Sequence, residues 1–230
     1  MIDVILWDLD GTLLDFKASE KHALRASFRY FGLGELSDGD VAWYSRINRD
    51  WWERMERGEV TKARVMDGRF EDFFSRKHLT FSDWDAFNRV YQTRLGDLAV
   101  LTEGALPLLA TLKERGVRQY AVTNGTALVQ RERLKKSGLV RLFDGVFISE
   151  DLGYEKPDER FFRLVFDRIG KVDRRRCAIV GDSVSGDMRG GKGAGIMTWL
   201  YRPEGPDPAK GAADRRIRRL EEVLTLAEAI

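Results

Sequence analysis

The chain has 230 residues, with 39 Lys and Arg against 37 Asp and Glu for a net charge of +2. These charges are interspersed and form no basic stripe, which argues against a nucleic-acid partner. Hydrophobic residues make up 43% and prolines number 5, so disorder is excluded as the main state, and the length fits one domain carrying a sizeable insertion.

Residues 2–9 form a short apolar run ended by Asp10-Gly11-Thr12, the pattern of a buried strand followed by a tight turn. A stretch of helical period follows. It predicts four helices at 19–31, 38–57, 61–77 and 83–95, with Thr61 and Ser82 as N-caps. Beyond it, short apolar runs at 118–123, 145–149, 177–180 and 196–201 alternate with helical patterns at 102–115, 127–137, 158–169 and 183–194. Strands alternating with helices of this length predict an α/β fold, a Rossmann-like parallel sheet wound on both sides. The expected division is a core of residues 1–16 and 97–230, and an inserted helical-bundle domain of residues 17–96. Residues 202–211 form a Gly/Pro-rich loop. The single cysteine, Cys177, cannot make an internal disulfide, and 2 His leave almost no room for a Cys/His zinc site. No segment has the apolar length to cross a bilayer and no signal peptide is recognisable, so a cytoplasmic protein with no membrane partner is expected.

In a doubly wound sheet, ligands sit beyond the carboxyl ends of the strands. Four strand ends bring polar groups there: Asp8, Asp10 and Thr12; Thr123 and Asn124; Lys156; and Asp182, Ser183 and Asp187. Asp8-Leu9-Asp10-Gly11-Thr12 taken alone reads equally well as an Asx-turn. In company it says more, because carboxylates gathered at one edge repel one another unless a hard cation sits among them, and magnesium favours such oxygen ligands. A phosphoryl group at that cation needs cationic and hydrogen-bonding partners, which Thr123, the backbone of Asn124 and Gly125, and Lys156 can supply. A carboxylate such as Asp8 can attack phosphorus and form an aspartyl-phosphate. Asp10, two residues on, can protonate the leaving oxygen and later deprotonate water.

These four elements, in this order and spacing, resemble the haloacid dehalogenase superfamily, and its phosphatases in particular. Asp8-Leu9-Asp10-Gly11-Thr12 is similar to the family's first motif, Thr123-Asn124-Gly125 to its second, Lys156-Pro157-Asp158 to its third, and Gly181-Asp182-Ser183 through Asp187 to its fourth. The resemblance implies that Asp8 is the nucleophile and a magnesium ligand. It implies that Asp10 is the acid/base and binds metal through its carbonyl, with Asp182 completing the ligands and Asp187 supporting them. Dehalogenases proper lack the second aspartate of the first motif, so Asp10 argues for phosphate chemistry. Leu13-Leu14-Asp15-Phe16 with Glu20, Ile47 through Trp52 running to Gly58-Glu59, and Gly68-Arg69-Phe70 resemble the pyrimidine 5′-nucleotidase branch, as do Gln130 through Gly138 and Ile148 through Asp151. In that family the helical insert is a cap over the metal site, which makes Phe16, Asn48 and Arg69 candidates for touching a leaving nucleoside.

Duller readings stand beside several of these. Lys156 before Pro157 reads alone as a loop lysine, Asp187 as a helix cap, and Arg69 as an ion-pair partner of Glu71 or Asp72. Trp51 and Trp52 are adjacent, so a helix points them in different directions and one belongs to the core. Gly186 through Gly193 nearly matches a phosphate loop, but Gly193 stands where a magnesium-binding hydroxyl belongs and the run lies in a helical pattern. Close helix–sheet packing is the better account of its glycines. The expected activity is hydrolysis of a small phosphomonoester, a pyrimidine nucleoside monophosphate before a sugar phosphate. A phosphomutase ranks below these. A phospho-accepting receiver domain ranks lower too, because it needs neither a large insert nor an acid/base two residues beyond the aspartate.

Overall fold

The computed structural model describes residues 1–206 and 209–229. They fold as two compact units, Met1–Asp15 with Ala99–Ile230, and Phe16–Leu98. The first unit begins with strand β1 (Val4–Trp7), every residue of which is buried. After the turn that follows it the chain enters the second unit.

That unit holds helices α1 (Phe16–Tyr30), α2 (Asp38–Glu56), α3 (Lys62–Arg76) and α4 (Trp84–Leu95), in which α1 packs against α4 and α2 against α3. Its core is aromatic. Phe28, Tyr44, Phe70, Phe73, Phe74, Phe87 and Tyr91 are all buried, and the rings meet mostly edge to face, as in Phe70–Phe87 at 4.8 Å between centroids. The helix starts are capped by side chains. Ser37 and Asp40 form a capping box at α2, and the Thr61 side chain accepts from Arg64 N–H at α3. At α4 the cap is Asp83, whose side chain accepts from Ala86 N–H, and not Ser82. An Asp immediately before Trp84 reaches the first-turn donors, which a residue one step earlier cannot.

Back in the first unit come α5 (Ala105–Glu114), β2 (Arg118–Thr123), α6 (Ala127–Ser137), β3 (Gly145–Ile148), a short α7 (Ser149–Leu152), α8 (Glu159–Ile169) and β4 (Cys177–Gly181). A π turn (Val184–Met188), α9 (Arg189–Gly193), β5 (Met197–Tyr201), β6 (Arg215–Ile217) and α10 (Glu222–Glu228) complete it. The strands form one parallel sheet in the order β3-β2-β1-β4-β5-β6. Alternate residues of β1 serve opposite faces. Ile5 and Trp7 join a cluster with Leu109, Val180 and Trp199, whereas Val4 and Leu6 join Val122, Phe161, Phe162, Val165 and Ile179. Burying each such side chain contributes ~1.5–3 kcal/mol. Trp7 stands opposite both Ala121 and Val180, so the three central strands run in register toward the same edge.

The sequence pattern anticipates one helix over 183–194, and the structure resolves it into the π turn and α9. Its glycines pack. A Cβ on Gly190 would stand 2.3 Å from the Phe162 ring, and one on Gly191 would stand 2.5 Å from Ile179. β6 and α10 have no counterpart in the sequence reading, and part of the 202–211 loop lies outside the described residues. No described helix is long and apolar enough to cross a membrane.

Candidate active site

β1 delivers Asp8 to the sheet edge, where its backbone N–H bonds to Val180 O at 2.9 Å. The chain then turns sharply at Gly11, whose φ of 84° favours glycine. A Cβ there would also stand 2.5 Å from the Asp182 carboxylate, so a larger residue would push that side chain of the fourth motif aside. Thr12 closes the turn by donating its hydroxyl to Asp8 Oδ2 at 3.2 Å.

Lys156 lies at the centre of the cluster and is buried. Its ammonium donates to Asp8 Oδ1 at 2.8 Å, Asp187 Oδ1 at 2.6 Å and Val122 O at 2.9 Å. The loop lysine of the duller reading is therefore replaced by a fully engaged buried cation. Asn124 braces the loop that carries it, donating from Nδ2 to Lys156 O at 2.9 Å and accepting Lys156 N–H at 2.8 Å. Asp187 caps as well as pairs, since its Oδ2 accepts Ser183 N–H at 3.1 Å. Burial pushes the Asp8 carboxyl up to about 7, against the lowering pull of Lys156 and with a further push from Asp187. Burial also acts to lower the Lys156 pKa, but Asp187 and Asp8 outweigh it and hold the ammonium above its ordinary value.

Carboxylate oxygens of Asp8, Asp182 and Asp187 lie within 4.8 Å of one another. Two of these residues are buried and Asp182 is exposed, which leaves the group open on one side. Such a set of hard oxygen donors suits a divalent cation of the magnesium type.

Asp10 is held from α6. Gln130 donates from Nε2 to Asp10 Oδ2 at 2.6 Å and to Thr123 Oγ1 at 3.1 Å, while Arg133 donates from Nη1 to Asp10 Oδ1. Both side chains are buried. Sequence reasoning took the 130–138 stretch only as a family likeness and missed this role. No sequence signal marked it, since a Gln and an Arg three residues apart read as part of an ordinary polar helix face.

The helical unit's candidates occupy a different setting. Asn48 and Arg69 are buried within an internal polar network: Asn48 Nδ2 donates to Glu20 Oε1 at 2.8 Å, and Arg69 donates to Asn48 Oδ1 at 3.0 Å and Asn88 Oδ1 at 2.9 Å. Arg69 also lies over the rings of Phe70 and Tyr91. Its sequence-based partners are otherwise engaged, Glu71 with Arg64 and Asp72 with Trp51. Trp51 is the core member of the tryptophan pair. Phe16 opens α1 and is half-buried. Burial raises the Glu20 carboxyl above its ordinary value, although Ser45 and Asn48 donate to it.

A model of the haloacid dehalogenase-like hydrolase family matches residues 2–195. The chain belongs to this family. Within it, the chain is 34% identical to the HAD-hydrolase YfnB of Bacillus subtilis over 95% of its own length and 92% of that protein's. It is 35% identical to the pyrimidine 5′-nucleotidase PynA of Streptococcus pneumoniae, covering 86% of this chain and 83% of PynA. Identity to the pyrimidine 5′-nucleotidase YjjG of Escherichia coli is 28%, over 96% and 97% of the two chains. The crystal structure of YfnB bound to magnesium superposes with a TM-score of 0.91 at 32% identity, covering 99% of both chains. The sheet and its helices are thus those of a HAD-like hydrolase, and the chain is an enzyme of that class.

Proposed function

We propose that this HAD-like hydrolase is a magnesium-dependent phosphatase that works through an aspartyl-phosphate, and that its substrate is a pyrimidine nucleoside monophosphate. The observation that carries the reading is the convergence of the Asp8, Asp182 and Asp187 carboxylates, two of them, Asp8 and Asp187, bonded to the Lys156 ammonium, with Asp10 two residues beyond Asp8. Asp8, Asp182 and Asp187 would hold the ion, with the Asp10 carbonyl beside them. When bound, magnesium supplies positive charge to the phosphoryl oxygens.

In this reading an Asp8 oxygen attacks phosphorus while the bond from phosphorus to the nucleoside oxygen breaks, and Asp10 gives that oxygen its proton. Asp10 then takes a proton from water. The resulting oxygen attacks phosphorus, the bond to Asp8 breaks, and inorganic phosphate leaves. Thr123 Oγ1 accepts two hydrogen bonds, from Gly125 N–H and Gln130, so its hydroxyl hydrogen remains to donate to a phosphoryl oxygen. The Asn124 backbone offers a further donor, whereas the Gly125 N–H expected to do so is given to Thr123, and Lys156 orients Asp8.

The nucleoside part rests on two supports: PynA and YjjG are pyrimidine 5′-nucleotidases, and Arg69 Nε is a buried donor with no hydrogen-bond partner. A buried orphan donor suits an acceptor such as a pyrimidine carbonyl. Phosphate release should be measured from a panel of nucleotides and sugar phosphates, with magnesium and with chelator. Preference for uridine or thymidine monophosphate, lost with chelator and regained with magnesium, is expected. A preference for sugar phosphates overturns the nucleotide assignment, and turnover unaffected by chelator overturns the metal.

A further inference from the structure

The buried pair on α6 is not explained by helix packing. A guanidinium taken wholly out of water is costly unless it is paired, and Arg133 is 0% exposed with Asp10 as its carboxylate partner. Gln130, three residues earlier and also 0% exposed, lies on the same helix face. Between them they engage both Asp10 oxygens, so rotation of that carboxylate breaks at least one bond. Gln130 adds a second link by donating to Thr123 Oγ1 as well, which fixes the carboxylate relative to the second motif.

Gly125 completes the arrangement. A Cβ at that position would stand 2.1 Å from Gln130 Nε2, 2.8 Å from its Cδ and 2.9 Å from its Cγ. The whole side chain, and not its tip alone, occupies the space a larger residue would take.

We propose that Gln130 and Arg133 are positioning residues that hold the Asp10 carboxylate in its working orientation, and that position 125 is glycine so that Gln130 can reach it. The inference rests on the reading of Asp10 as the group that protonates the leaving oxygen. Proton transfer requires close placement, and a displacement of about 1 Å can cost on the order of 10²-fold. A leaving group that departs without help is spared that cost.

The test is rapid-quench measurement, with magnesium, of phosphoenzyme formation from uridine monophosphate and from p-nitrophenyl phosphate. It compares the wild type with Gln130→Ala, Gly125→Ala, Arg133→Lys and Asp10→Asn. Gly125→Ala keeps every hydrogen-bonding group and Arg133→Lys keeps the buried charge, and thermal melts identify the folded variants. Because Gln130 and Gly125 also bond to Thr123, their variants can slow both substrates, but they should slow the nucleotide reaction about 10–100-fold more than that of the aryl ester. Gln130→Ala should add nothing in an Asp10→Asn background. Equal losses on both substrates, no loss on the nucleotide, or an additive loss in that background overturns the proposal. Equal losses in Asp10→Asn itself overturn the underlying reading of Asp10, whereas a split there without one in Gln130→Ala overturns the positioning role alone.

Discussion

Arg69 shows how a residue's surroundings change what its substitution reports. Its guanidinium satisfies Asn48 and Asn88, and Asn48 in turn donates to Glu20. Arg69→Ala leaves the buried Asn48 Oδ1 without its Arg69 donor, at about 1–3 kcal/mol, visible as a lower urea midpoint. If Nε meets the nucleoside, kcat/KM for uridine monophosphate falls about tenfold further than for p-nitrophenyl phosphate, which has no base. An unchanged ratio between the two substrates returns Arg69 to packing alone. Legibility at this scale followed topology. Asp8, Lys156 and Asp182 could be placed together because each follows a strand of one parallel sheet. Gln130 and Arg133 could not, because on a helix they read as members of an ordinary polar face, and their partner Asp10 lies more than a hundred residues away in the chain. Asn48 and Arg69 read as polar groups near a ligand, and their sequence context gave no sign of the Glu20 network that buries them.

At the scale of elements, α2 depends on its start. Asp40 accepts from the Ser37 N–H at 3.0 Å, the Ser37 hydroxyl at 2.8 Å and Lys77 Nζ at 2.6 Å. The hydrogen bond from Lys77, followed by those from Ser37, holds its carboxyl below the ordinary value of 3.8. A carboxyl depressed in the folded state contributes stability that is present above pH 3.8 and is lost as the pH falls through the folded value. Asp40→Ala should cost about 0.3–1 kcal/mol at pH 7, and the gap from wild type should shrink at pH 3. Urea titrations at both pH values check this, and a constant gap contradicts it. Helices of this kind were legible from cap and period, whereas β6 was not. Its Arg215-Arg216-Ile217 is a three-residue edge strand, exposed at Arg215 and half-buried at Arg216. Without a continuous apolar run, only pairing with β5 makes it a strand.

For the whole molecule, the helical unit is inserted where the first unit can absorb an interruption. The chain leaves after Asp15 and returns at Ala99. The two crossings are tied together within the first unit, with Asp15 N–H bonded to Val100 O at 2.8 Å and Leu14 bridged to Leu101. Ends held this close let an insertion leave the parent sheet intact. This is why the alternation of strand and helix resumes beyond it and the α/β class could be read through the interruption. The central claim is that Asp8 carries the phosphoryl group. Acid-quenching the enzyme during turnover of uridine monophosphate labelled in its phosphate, followed by peptide mapping, tests it most directly. Label on the peptide containing Asp8, absent in a folded and inactive Asp8→Asn variant, is the expected result. Robust phosphate release by folded Asp8→Asn, or label on a different residue, would contradict it.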